Sequence, residues 1–595
     1  MLDEYKHRSV ECCNIWIAVG SPSEGSTYHN MRQAKAAYKA ALNECKKDSE
    51  TQFADDLFDS LMAKDMDGFW RTWKSKFGRK SLHSKIVEGC CRDDDIVHKF
   101  KAFSSQVSIP NSLDIHQRYK EEFLNSFKGY SIHECHDNFF TVSDIDEALS
   151  KMKKGKSTGL DKISTEHLVY AHPSLVMLLK VLFNCMLQYG LVPDGFGKGI
   201  IIPLLKDPNS DATICDNYRG ISLSSSISKV FEYAVLNKYG VLLTTDCLQF
   251  GFKNSIGCSD ALYTVKSTID YFVKNGCTLS ISALDISKAF DRVSFYALFS
   301  KLMHRKVPKE VINVLLSWYT KSSMQVRWND SLSTCFRTSA GVRQGGVLSP
   351  ILFALYIEDI LGELKKQNKG CKIGGVFLGC FLYADDILLL SQSVTCMQSM
   401  LDICNRVACY LDLKFNTKKS VTMRIGKRYK YKCSAFLLDG IALPRVEECK
   451  YLGVILREGC RFSRSFCTAK IKFYRCFNAI YSKAFFASEE VLINLLNSFR
   501  LPLVTFACEA VWPSRSDVRI LDKLITVAFQ KIFHTFDVDV ISNAKLYFGL
   551  DNVDHLLRIR QKNFFDRYFN KGFSFSHVIY SINDRDLLCA FLDLT

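Results

Sequence analysis

Two adjacent acids interrupt an apolar run at Phe381–Leu390, FLYADDILLL. An unpaired carboxylate in a low-dielectric core is very costly, so Asp385 and Asp386 in that setting call for cations. A second pair of acids lies upstream in Ala283–Val293, ALDISKAFDRV, where Asp285 ends an alternating apolar stretch and Asp291 lies just beyond. A merely polar hairpin tip would favour Gly or Asn at the turn and would need no second acid cluster. Asp285, Asp385 and Asp386 together would offer three carboxylates from two strands. Hard oxygen donors of this kind suit magnesium, which keeps waters and substrate phosphates as its other ligands. Two such ions about 3.5–4 Å apart can activate a 3′-hydroxyl and stabilise a leaving pyrophosphate, the chemistry of nucleotidyl transfer. Between the clusters lies Gly341–Phe353, GVRQGGVLSPILF. Its glycines let backbone approach a substrate closely. Arg343 and Gln344 are expected to project from that loop, with Pro350 in the first turn of the helix that follows.

The elements that must position these residues follow from periodicity. Gly199–Leu205 and Leu279–Ile286 read as strands, and residues 380–390 as strand, tight turn, strand. A helix is expected over 345–364, an apolar core helix over 174–189, and a helix over 144–154 capped by Ser143. Strands interleaved with helices point to an α/β or α+β catalytic core. Helical periods dominate both ends. Over 29–47, Ala34, Tyr38 and Ala41 share one face and Arg32, Lys35 and Lys39 another. After 465, Phe473, Phe477 and Ile480 face one way and Lys472, Arg475 and Lys483 another. Either basic face is a solvated surface or one that tracks phosphates. Residues 69–77, FWRTWKSKF, mix aromatic and basic side chains without specifying a ligand.

Bulk properties narrow the class. In 595 residues, 47% hydrophobic and 24% charged content is that of globular protein, which excludes a largely disordered chain. Seventy-eight Lys and Arg against 62 Asp and Glu give a net charge of +16, which favours a polyanionic partner, nucleic acid first. The 24 cysteines are scattered, and the opening MLDEYKHR is charged rather than apolar. Reduced thiols in nucleus or cytoplasm are expected, with no signal peptide. No apolar run reaches the length of a membrane span, so no membrane partner is expected. Gly155-Lys156-Ser157 lacks the upstream glycine of a phosphate-binding loop, since position 150 is Ser. His133, Cys135 and His136 lack a second pair at zinc-ligand spacing.

The order of motifs resembles the reverse transcriptase of non-LTR (LINE-type) retrotransposons. Asn217–Glu232 (NYRGISLSSSISKVFE) is similar to that family's fingers signature, ALDISKAFDRV to its first palm motif and RQGGVLSPILF to its second. YADD is similar to its metal-binding hairpin, and Leu413–Ser420 (LKFNTKKS) and Tyr451–Ile455 (YLGVI) to the two motifs beyond. Gly159-Leu160-Asp161 resembles the N-terminal extension loop of the non-LTR and group II intron branch. The likeness covers roughly 140–460 in the family's order.

The resemblance implies an α+β right-hand polymerase: fingers, a palm with an antiparallel sheet, and a helical thumb, flanked by helical extensions. The expected division is a basic helical linker region over 1–125, an N-terminal extension over 126–190, fingers and palm over 191–460, and thumb and C-terminal region over 461–595. It assigns Asp285, Asp385 and Asp386 to catalysis and metal binding, with the Ile286 carbonyl at the same site. Lys206, Arg219, Phe290, Gln344 and Lys419 would meet the incoming dNTP, Phe290 as the gate beneath the sugar and Lys419, or next Lys418, near the pyrophosphate. Arg343, Lys472, Arg475 and Lys483 would contact nucleic acid. The implied cofactor is Mg²⁺, two ions, with Mn²⁺ as a substitute, and the implied partners are RNA template, DNA primer or target, and dNTPs. The 140 residues before the core are too few for the endonuclease such elements usually carry, so an endonuclease acting in trans, or one from a missing N-terminal region, is expected. Two other readings stay open: a polymerase-derived RNA-binding scaffold without catalysis, and a palm-fold cyclase or other nucleotidyl transferase.

Overall fold

The computed structural model describes residues 2–78, 84–132, 139–499, 501–550 and 553–582. His133, Cys135 and His136 lie outside them. The fold is mixed, 56% helix and 13% strand, as the α+β expectation requires. Among the described residues no helix is long and apolar enough to cross a membrane. The chain divides into two compact units: residues 1–82 with 466–560, and residues 83–465 with 561–595.

The larger unit is organised by two sheets. The first is antiparallel and joins Val421–Ile425, Leu279–Asp285, Asp386–Ser391 and Cys380–Tyr383 in that order. Helices cover its strands, so Leu279, Ile281, Leu284 and Ile387–Leu390 are all buried, and Ser280 and Ser282 with them. The segment around Gln249 extends the sheet beside Leu382: Phe250 N–H donates to Leu382 O (2.8 Å) and Leu382 N–H to Leu248 O (2.9 Å). The second sheet pairs Lys198–Leu205 antiparallel with Tyr218–Ser224 over seven residue pairs, and parallel with Ser323–Trp328. The helix Ser349–Lys366 begins four residues later than 345 because Gly345 and Gly346 form the turn before it; Pro350 sits at its start, as expected.

Two sequence expectations change here. The helix near 144 runs over Val142–Ser150 and is capped by Thr141, not Ser143. Thr141 Oγ1 accepts from Asp144 N–H (3.2 Å) while Asp144 returns a bond to the Thr141 N–H (2.8 Å), a reciprocal box that outcompetes a single serine contact. The Ser174–Tyr189 helix buries only Leu179, Phe183, Met186 and Leu187. Its Met177, Leu178, Val181 and Tyr189 are exposed, because apolar residues all round a helix do not say how many neighbours cover it.

The smaller unit is helical. Its core brings Leu57, Phe69 and Trp73 from the N-terminal helices Ser26–Met62 and Met66–Phe77 against Phe473, Phe477, Val491, Leu495, Leu524 and Phe529. The aromatics of 69–77 therefore serve this core: Phe69 is fully buried and Trp70 meets Phe499 edge-on at 4.9 Å. The N-terminal 82 residues thus pack with the helices after 466 rather than forming a separate linker region.

Candidate active site

Strand register brings the acids together. In the Leu279–Asp285 and Asp386–Ser391 pair, Asp285 lies directly opposite Asp386, and Asp386 in turn opposes Tyr383 across the hairpin. Ala384 takes a left-handed backbone conformation (φ 56°), closing the turn so tightly that Asp385 follows at its tip. Burial raises the carboxyl of Asp386 to about 6, helped by the charges of Asp385 and Asp285. Asp285 is also raised, by burial first and then by Asp385, against the opposing pull of Lys419, Lys206 and a hydrogen bond from Asn416. Among the described residues no three His, Cys, Asp or Glu side chains are grouped so that they could by themselves hold a metal ion. The donor set is nevertheless all carboxylate, and the mutual repulsion that lifts Asp285 and Asp386 is what a hard divalent cation would relieve.

The backbone behind Asp285 is pinned from the Leu413–Ser420 segment. Asn416 N–H donates to Asp285 O (2.8 Å), Ser420 Oγ accepts from Asp285 N–H (3.2 Å), and Ile286 bridges Phe415. These contacts give that segment a structural role beside the one expected of Lys419.

A cavity of about 610 Å³ opens beside Asp285 and Asp385, and Lys206, Arg219, Ile286, Phe290, Arg343, Gln344 and Lys419 line it as well. Lys418 is not in its lining. Arg219 is exposed on the Tyr218–Ser224 strand and makes no ion pair among the described residues, so its charge is available to an anion. Lys206 donates to the Asp216 carbonyl (2.6 Å); burial holds its ammonium below the usual lysine range. Gln344 Nε2 donates to Asp291 Oδ1 (2.9 Å), and the Gln344 carbonyl accepts from Ser222 N–H (2.7 Å). Asp291, the fourth acid of the sequence clusters, thus orients Gln344; burial raises its carboxyl. The Phe290 ring stacks on Phe353 (centroids 4.5 Å apart, 20° between planes) and meets Phe252 edge-on, so it sits in one orientation on the cavity wall.

Arg343 corrects an expectation. Its side chain turns inward rather than projecting: it is buried, its guanidinium lies 4.3 Å from the Trp318 ring centroid, and Nη1 donates to the Phe196 carbonyl (3.2 Å). The attracting charge is Glu232, itself buried and accepting from Val347 N–H (2.6 Å). A guanidinium can stack on an aromatic face while its edge donates, which suits it to such a site.

Gln249 escaped the sequence reading. It is fully buried, and its Oε1 accepts from the N–H groups of Gly251 (2.9 Å) and Ala384 (3.3 Å). Ala384 carries the strained turn that presents Asp385, so Gln249 is a positioning residue for the acid hairpin. The signal was a lone amide in the otherwise apolar, glycine-containing run Leu248–Phe252. Gln249→Leu removes the acceptor and leaves the buried Ala384 N–H unpaired. Nucleotide addition should fall about a hundredfold through misplacement of Asp385, with primer–template affinity unchanged. Equal rates in Gln249→Leu and parent would remove this role.

Residues 205–456, which carry the central sheet, the acids and most of the cavity lining, match the family described as "Reverse transcriptase (RNA-dependent DNA polymerase)". The relatives the chain matches include RNA-directed DNA polymerases of mobile elements and Pol polyproteins of retrotransposable elements. One is the RNA-directed DNA polymerase from mobile element jockey of Drosophila funebris, 28% identical over 340 residues, 54% of this chain and 36% of that one. Another is the Retrovirus-related Pol polyprotein from type-2 retrotransposable element R2DM of Drosophila melanogaster, 26% identical over 323 residues, 53% of this chain and 30% of that one. The chain thus matches about a third of the length of these relatives. Among solved structures it is similar to telomerase from Candida tropicalis, with a TM-score of 0.35 and 12% identity over 69% of this chain and 68% of that one, a likeness too distant to assign residues.

Proposed function

We propose that the chain is the RNA-directed DNA polymerase of a non-LTR retrotransposon, adding deoxynucleotides to a primer 3′-hydroxyl on an RNA template. The observation that carries this reading is the register pairing of Asp285 with Asp386, next to a cavity lined by Asp285 and Asp385 together with the cationic side chains of Lys206, Arg219, Lys288, Arg343 and Lys419. Asp285, Asp385 and Asp386, with the Ile286 carbonyl, would hold two divalent ions, Mg²⁺ or in its place Mn²⁺. Bound there, the ions supply Lewis acidity toward the attacking hydroxyl and the departing pyrophosphate. The chain's own groups do the rest. Arg219, Lys206 and Lys419 face the triphosphate with positive charge. Gln344, locked by Asp291, lies beside the nucleotide and template base. Phe290 forms the floor under the sugar. The primer is supplied by nicked target DNA, and the nick comes from an endonuclease in trans or from protein outside this chain. Extension of a DNA primer annealed to RNA, with magnesium and the four dNTPs, tests the reading. A binding scaffold would retain the hybrid and extend nothing.

The Cys467–Ala484 helix presents Lys472, Arg475 and Lys483 to solvent, with Phe473 and Phe477 buried on the other side. We assign it to the thumb as a grip on the duplex backbone. Each neutralised phosphate adds roughly 0.7–0.9 to the log–log salt slope of binding, so replacing all three by Gln should flatten the slope by about two units. Products made per binding event should shorten while single additions on saturating hybrid persist. Coincident slopes for parent and variant would make this a merely solvated face.

A further inference from the structure

The loop after the Val421–Ile425 strand reads Lys427-Arg428-Tyr429-Lys430-Tyr431-Lys432. It has no acid, and its four cations alternate with two tyrosines. Lys427, Arg428, Lys430, Tyr431 and Lys432 are exposed, Tyr431 at 69%. A run of like charges ordinarily repels itself into a mobile, solvated segment. Here the backbone is built instead. Gly426 begins the loop at φ 134°, where a Cβ would come within 2.6 Å of both Cys277 O and Thr278 Cα, and its N–H donates to Gly459 O (2.8 Å). Arg428 N–H donates to Thr278 Oγ1 (2.9 Å). From beneath, Arg424 Nη1 donates to the Tyr431 carbonyl (3.0 Å), and Arg445 donates to the carbonyls of Tyr431 (3.4 Å) and Tyr429. Arg445 is itself fixed by Glu458 (2.6 Å).

Two arginines thus occupy the loop's carbonyls from the inside. What stays exposed are the four cationic side chains and the Tyr431 ring. The complementary ligand is a polyanion with free flat faces. Phosphates answer the cations, and unpaired bases stack on tyrosine. A duplex hides its base faces, so the surface favours a single strand. It is separate from the cavity. Ile425, at the loop's root, pairs with Leu279 at one end of the central strand, and Asp285 lies at the other end, roughly 20 Å away at strand rise. We infer that the Lys427–Lys432 loop is a second nucleic-acid site, which binds single-stranded RNA or DNA remote from the acids. The site does not depend on the polymerase reading, because nothing in it requires nucleotide addition.

The test uses the full chain without primer or dNTP, and a fluorescent oligouridylate titrated across a salt series. Replacing Lys427, Arg428, Lys430 and Lys432 together by Gln should weaken binding by about tenfold or more and flatten the salt slope by up to about three units, at about 0.7 per single-strand phosphate. Tyr431→Ala should weaken binding about fivefold at an unchanged slope, since stacking releases no counterion. A thiouridine-bearing strand should photo-cross-link to the peptide containing Tyr429 and Tyr431. Single-nucleotide addition on a short primer–template should be unchanged in both variants, so failure of the polymerase reading and failure of this one are told apart. The inference is overturned if the four-residue variant binds as the parent does, if cross-links fall elsewhere, or if Tyr431→Ala keeps full affinity. The last result would leave a charge-only patch, of the kind an import receptor reads.

Discussion

Asp285→Asn and Asp385→Asn should each lower nucleotide addition by about a thousandfold or more, in line with the loss of one preorganised electrostatic group from a transition state, while hybrid affinity should stay near that of the parent. Asparagine has the shape of aspartate, and the register that sets Asp285 against Asp386 is carried by backbone pairing from Leu279 to Asp285 and from Asp386 to Ser391. The fold therefore survives and only the ligand charge is lost. The folded protein should even gain slightly in stability, because burial and mutual repulsion already disfavour the ionised form of Asp285. Extension at the parental rate in either variant would mean that the reacting centre lies elsewhere.

Phe290→Val should admit ribonucleotides. The Phe290 ring lines the cavity and is held by Phe353 and Phe252, so it cannot swing aside for a 2′-hydroxyl. Removing the ring opens that space, and the preference for deoxy- over ribonucleotides should fall roughly 10- to 200-fold, the range that pocket shape alone controls. The stacked pair with Phe353 also contributes about 0.5–1.5 kcal/mol to folding, so absolute rates will drop too. The ratio of the two efficiencies, measured in one preparation, separates these effects. An unchanged ratio would make Phe290 part of the packing only.

The acids were legible in the sequence because charge inside an apolar strand pattern has few explanations. Asp285 at the end of one strand and Asp385-Asp386 between two others gave the cluster. Their opposition did not follow from it, since register between strands a hundred residues apart depends on the whole sheet. The resemblance supplied the right neighbours for the cavity: Lys206, Arg219, Phe290, Gln344 and Lys419 do line it. Arg343 was misread because loop position says nothing of direction; Trp318 and Glu232, both distant in sequence, turn it inward. Gln249 was missed for the converse reason, as its role rests on one acceptor atom placed against a turn that comes 135 residues later. The helix cap moved from Ser143 to Thr141 because the spacing to Asp144 completes a reciprocal pair. The association of residues 1–82 with 466–560 had no local signal, because an amphipathic helix specifies a face to bury and not the partner that buries it.

Copying of RNA into DNA at this site is the proposed activity. The most direct measurement offers the purified chain a DNA primer annealed to RNA, magnesium, and each dNTP separately. The expected result is addition only of the nucleotide complementary to the next template base, with the choice switching when that RNA base is changed, and none of it in Asp385→Asn. Addition indifferent to the template base, or no addition by folded protein that binds the hybrid, would contradict it.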